Sequence, residues 1–136
     1  MAEIRYLNYF DTRRIDSDNK LLLGDFTCID TRDIAWFVPA GTQTDGKSVP
    51  EQLEILIGDP FEGVTEVAAV VHDYYCATYK TSKRSQKDTH RIFRELTLYE
   101  MKKKYPLWQK PWQYTRAHLM WAAVRSWNFF KHKEWL

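Results

Sequence analysis

The chain is poor in the groups that would staple or anchor it. Two cysteines in 136 residues, Cys28 and Cys76, make neither a disulfide framework nor a zinc ligand set, so reduced structural thiols are expected. No apolar run approaches the roughly 18 residues a membrane-spanning helix needs. The longest strong run is Val67 to Val71. The first residues, MAEIRYLNYF, lack the basic-then-apolar order of a secretory signal. A Gly-rich phosphate loop, an HExxH pair, a CxxC pair and a GxSxG elbow are all missing, and those enzyme classes lose support. There is no internal repeat, low-complexity segment or evident linker.

What is present fits a soluble globular chain: 44% hydrophobic and 28% charged residues in 16.3 kDa. One domain over 1–136 is expected, with residues 1–47 mainly strands and loops and 48–136 mainly helices. The net charge of +2 conceals a division. Residues 1–76 hold 6 Lys and Arg against 14 Asp and Glu, whereas residues 77–136 hold 14 against 4. Five of the six tryptophans (Trp108, Trp112, Trp121, Trp127 and Trp135) also fall in the last 29 residues. Such a division implies either internal charge complementarity or two surfaces with different partners.

RYLNYF, KLLLGDFTCI and IAWFVPA read as strands of a small antiparallel sheet, separated by the polar stretches DTRRIDSDN and DTRD. Helical signals begin at Ser48. Ser48 and Glu51 have capping-box spacing with Pro50 in the first turn, predicting a short helix over 49–57 that stops at Gly58. Asp59 to Glu62 repeats the start signal. From Thr65 to Tyr79 apolar residues recur at 67, 70, 71, 74 and 75. Ser85 caps a further helix with the stripe Ile92, Phe93, Leu96 and Tyr99, running to about Lys104 ahead of Pro106. Pro111 opens a last helix with Trp112, Leu119, Ala123, Trp127 and Phe130 on one side. The expected class is α+β, a small N-terminal antiparallel sheet followed by three to four helices.

The densest chemistry is His72-Asp73, followed by Tyr74 and Tyr75, on the most apolar helix. Burying a His beside an Asp is unfavourable unless both find partners. Either they bond a neighbouring loop backbone, or one accepts protons or ligates a metal while the other orients it. The loop from Pro39 to Pro50 contains Thr44-Asp45-Gly46, a turn signature whose Asp45 is the third catalytic or metal candidate. On the next helix Asp88 and His90 lie on opposite edges of the apolar stripe, and periodicity does not choose which faces His72. The hypothetical catalytic set is His72, Asp73 and Asp45. The hypothetical metal set is Asp73, His90 and Asp45, for a divalent ion. His118 reads as a core-edge or surface residue and His132 as a solvated one.

VPAGTQTDGKSVP (38–50) and VAAVVHDYYC (67–76), followed by SQKDTHRIFREL (85–96) and RAHLMWAAVRSW (116–127), resemble in unbroken order the family catalogued as domain of unknown function 1353. That resemblance implies a bacteriophage or prophage origin. The His-Asp-Tyr helix facing Asp-x-x-Phe is also similar to the two-helix core of secreted phospholipases of the A-two type. This second resemblance implies His72 as base and Asp73 as calcium ligand. The position of its orienting carboxylate falls on His90, and an imidazole cannot supply a carboxylate's charge. The Gly-rich calcium loop and the disulfides are missing as well.

The leading expectation is a phage virion component, in the tail region, or an assembly component. Such a protein would be made in the host cytoplasm and would dock other phage proteins through the Trp- and Lys-rich C-terminus. The alternative is a small metal-assisted hydrolase of lipid or cell-wall material, active during host penetration or lysis. Nucleic acid is not expected as a partner: the basic half is balanced by acidic residues of the same domain, and Lys102 to Lys104 suit a solvated helix end.

Overall fold

Short runs of aromatic and branched residues build the N-terminal part of the fold. The computed structural model describes residues 3–16, 19–44 and 66–104, together with 111, 112, 115, 117–119, 121, 122, 125 and 126. β1 (Arg5–Tyr6), β4 (Phe26–Ile29) and β5 (Ala35–Val38) form one antiparallel sheet with β4 in the middle. β2 (Thr12–Arg14), β3 (Lys20–Leu22) and β6 (Gln43–Thr44) form a second, with β3 in the middle. In the first sheet Cys28 stands opposite Trp36 and Phe26 opposite Val38. All four are buried, while Phe37 between them points outward. That is the period-two alternation of a half-buried sheet.

The strands depart from the expected segments in two places. KLLLGDFTCI is two strands, because the chain changes sheets at Gly24-Asp25. The Leu22 carbonyl accepts the Gly41 N–H at 2.8 Å, and the Asp25 carboxylate accepts the Ala40 N–H at 2.7 Å. Gly41 takes φ 89°, a left-handed conformation that suits glycine. DTRRIDSDN, expected as a separator, contains β2. Its polar side chains lie on the solvent side, and its backbone pairs with β3 from Thr12 to Arg14.

α1 (Glu66–Ala77) follows the expected helix but is more enclosed than the predicted stripe. Every residue from Val67 to His72 is buried, because the helix is packed against β5, β6 and the long helix. A one-turn helix, α2 (Tyr79–Ser82), ends at Lys83 in the left-handed region. α3 (Gln86–Lys104) matches the expected span. Ser85 Oγ accepts the Asp88 N–H at 3.0 Å, satisfying a helix-start donor, and three lysines stand in the last turn where the dipole favours cations. Ile92, Phe93, Leu96 and Met101 on α3 join Val67, Val70 and Val71 on α1 against the Trp36 sheet.

The described residues from 111 to 126 are helical, and the two described residues of the predicted apolar side are exposed. Trp112 is 60% exposed and Leu119 42%, whereas the small Ala117 is fully buried. Half-buried Trp121 lies under the guanidinium of Arg94 at 4.9 Å. Ala123, Trp127 and Phe130, the predicted helix 49–57 with its start at Ser48, the Asp59 signal and Asp45 lie outside the described residues, as does His132. No described helix is long and apolar enough to cross a membrane.

Candidate active site

His72 sits where α1 is enclosed on all sides, and its side chain is 1% exposed. It faces α3, and the residue that meets it is His90. Nε2 of His72 lies 3.1 Å from Nδ1 of His90, with the rings stacked at 27° and 5.1 Å between centroids. Phe93, one turn further along α3, presents its ring to His72 at 5.5 Å. Asp88 is turned away. Its backbone N–H is held by the Ser85 cap, and its carboxylate lies 3.5 Å from Nε of Arg91.

Asp73 is half-buried at the edge of the same cluster. Its Oδ1 is 3.9 Å from Nδ1 of His72, and its Oδ2 accepts the Thr44 hydroxyl at 2.6 Å. Thr44 is buried on β6, paired across the sheet with Lys20, so the second sheet fixes the carboxylate. Cys76, one turn after His72 on α1, brings its sulfur to 3.6 Å from both ring nitrogens. Sequence reasoning places Cys76 among the inert thiols. The i, i+4 spacing from His72 is the signal that could have found it.

These contacts allow two proton arrangements, one for each direction of the bond between the rings. A hydrogen bond between Nε2 of His72 and Nδ1 of His90 needs one donor and one acceptor. With His72 donating through Nε2, its Nδ1 is a bare base on the side of Asp73, with the Cys76 sulfur against the same ring. His90 then orients the ring, while the carboxylate of Asp73 supplies the negative charge that an imidazolium at His72 requires. Of the predicted site residues, the fold therefore brings His72, Asp73 and His90 together. Among the described residues no group of three His, Cys, Asp or Glu side chains could hold a metal ion.

A second polar cluster, not anticipated from the sequence, lies beneath the turn from Asp30 to Ile34. Asp30 is fully buried. Its Oδ1 accepts the N–H groups of Arg32 and Ile34 at 2.8 and 2.9 Å, and its Oδ2 accepts Trp36 Nε1 and Arg91 Nη2, both at 2.9 Å. Glu95 pairs with Arg91 and accepts the Thr31 N–H. Burial alone would raise the Asp30 carboxyl, but the donors from Trp36, Ile34, Arg91 and Arg32 hold it below its ordinary value. Burial likewise works against the Arg91 charge, and its bonds to Asp30 and Glu95 reverse that effect. With every acceptor used inward, this cluster ties the sheet to α3.

A family model described as protein of unknown function (DUF1353) matches residues 21–124. Two curated relatives come from Sinorhizobium fredii (strain NBRC 101917 / NGR234). The uncharacterized protein y4jT is 43% identical over 103 residues, covering 68% of this chain and 30% of the relative. The uncharacterized protein y4iH is 39% identical over 83 residues, covering 61% of this chain and 34% of the relative. The chain thus spans about a third of the length of the curated relatives it matches. No solved structure matches it.

Proposed function

This chain belongs to the DUF1353 family, and from that premise and the geometry around His72 we propose that it is a small hydrolase of lipid or cell-wall material. His72 is the proton acceptor, His90 the residue that positions it, and Asp73 the charge that supports its protonated form. One observation carries the reading: among the described residues, the ring nitrogens of His72 meet the side chains of His90, Asp73 and Cys76 and no backbone group. A buried histidine must find partners for its ring nitrogens, and here those partners are side chains able to orient it and balance its charge.

The test is hydrolysis of phospholipid and peptidoglycan probes by the purified protein, with and without chelator, beside a metal determination. Activity that is lost in His72→Ala, with the circular dichroism spectrum retained, is the expected result. Wild-type protein inert on every probe contradicts the reading, and so does a His72→Ala protein as active as wild type.

A second reading is favoured by a separate observation. Trp112 and Leu119 are exposed on the same C-terminal part that follows the exposed Lys102, Lys103 and Lys104. Exposed apolar and cationic side chains of this kind suit docking to other proteins, and in a phage these would be virion or assembly components. Purified particles that contain the protein would support it, and particles without it would contradict it.

A further inference from the structure

We propose that Cys76 is the nucleophile of this site, with His72 as its base, and that the substrate is an acyl compound (an ester, thioester or amide) passing through a thioester on the cysteine. The inference rests on the hydrolytic reading above and gives it a substrate class. The difficulty it resolves is access. His72 is buried, which keeps a bulky acyl group off its ring and leaves it to exchange protons only, whereas Cys76 is only partly buried and touches the same ring. A nucleophile, a base within reach of it and a residue orienting that base are the three parts such chemistry needs. Here they are Cys76, His72 with both ring nitrogens 3.6 Å from its sulfur, and His90 with its Nδ1 3.1 Å from Nε2 of His72.

The two cysteines are placed in opposite ways. Cys28 is fully buried under the sheet, and burial, with Asp30 and Glu95 nearby, pushes its thiol up to about 12. Cys76 lies beside the imidazole of His72. Its proton passes to Nδ1 of His72, leaving a thiolate beside an imidazolium faced by Asp73. The thiolate adds to the acyl carbonyl, the bond to the alcohol, thiol or amine breaks, and the leaving group takes the proton from His72. Water, losing a proton to His72, then adds to the thioester. The carbon–sulfur bond breaks, the acid departs and the sulfur regains its proton. The net change is hydrolysis, with no oxidant or reductant.

Alkylation by iodoacetamide, followed by peptide mass mapping of the folded protein, reads the thiol directly. Cys76 is expected to be labelled at about pH 6, where an ordinary thiol is slow, with Cys28 unlabelled, and its rate should fall about tenfold or more in His72→Gln. In parallel, p-nitrophenyl acetate turnover is expected to disappear in Cys76→Ala while the spectrum of the folded protein is kept. Equal labelling of Cys76 in wild type and His72→Gln overturns the proposal. Undiminished turnover in Cys76→Ala also overturns it, and if His72→Gln is then inactive, the hydrolytic reading survives with water as the direct nucleophile. A wild-type protein inert on acyl esters, thioesters and amides overturns this proposal even if Cys76 labels quickly.

Discussion

Asp30 and Arg91 are 61 positions apart in sequence and bonded at 2.9 Å inside the protein. Removing one partner leaves the other charge buried alone, so Asp30→Ala should destabilise the fold by about 3–5 kcal/mol in urea unfolding. Because the folded carboxyl is held below its ordinary value, its contribution is complete above the unfolded pKa of about 3.9 and is lost as the pH falls through the lower folded value. Unfolding curves taken at successively lower pH should therefore show less acid sensitivity in Asp30→Asn than in wild type. At the site, His90 and Asp88 make opposite predictions. Replacing the positioning His90 by Leu should lower hydrolysis about 10- to 100-fold, the range seen when residues that orient a functional histidine are lost. Asp88→Asn should leave hydrolysis within about twofold, since its carboxylate is turned to Arg91. Neither distinction could be read from spacing alone. Both positions border the same apolar stripe, and only the pairing of Asp88 with its own helix settles which one meets His72.

Helix boundaries were the most legible elements, because their signals are local. The Ser85 cap, the period of Ile92, Phe93 and Leu96 and the lysines at the end define α3 within its own sequence, and Ser85→Ala should destabilise the protein by about 1 kcal/mol. The division of the strands between two sheets was hidden, since it depends on a change of partner at Gly24-Asp25 and on contacts made by distant loops. β2 was missed because Thr12, Arg13 and Arg14 have no apolar alternation to announce a strand. The outer edge of β5 shows how such small sheets are protected. The Tyr75 hydroxyl bonds both the N–H and the carbonyl of Phe37, and Arg84 bonds the Ala35 carbonyl at 2.7 Å. Tyr75→Phe removes the hydroxyl and frees a strand edge for pairing with another chain. The expected result is a loss of about 1–3 kcal/mol in stability and a new tendency to self-associate, read by light scattering.

At the scale of the molecule, the acidic and basic halves meet through few but unequal ion pairs. Among the described residues, Glu3 and Lys102 pair at 3.3 Å in solvent, whereas Asp30 and Arg91 pair in the interior. Solvent-exposed pairs contribute little and are screened, so 1 M salt should change stability by less than about 1 kcal/mol. The charge division legible in the sequence therefore reports an interface between the sheet and α3 whose strength lies in one buried cluster. A second face of α3, packed against α1, holds the two histidines. His72 and Asp73 were legible as unusual residues on an apolar helix; their partners Thr44, His90 and Cys76 became assignable only when sheet and helices were brought together. The most direct test of the account is kcat/KM for acyl-ester hydrolysis by His72→Gln against wild type, with both shown to be folded. The account predicts a loss of at least about 100-fold, the lower range for removal of a general base. A folded His72→Gln protein with wild-type kcat/KM would contradict it.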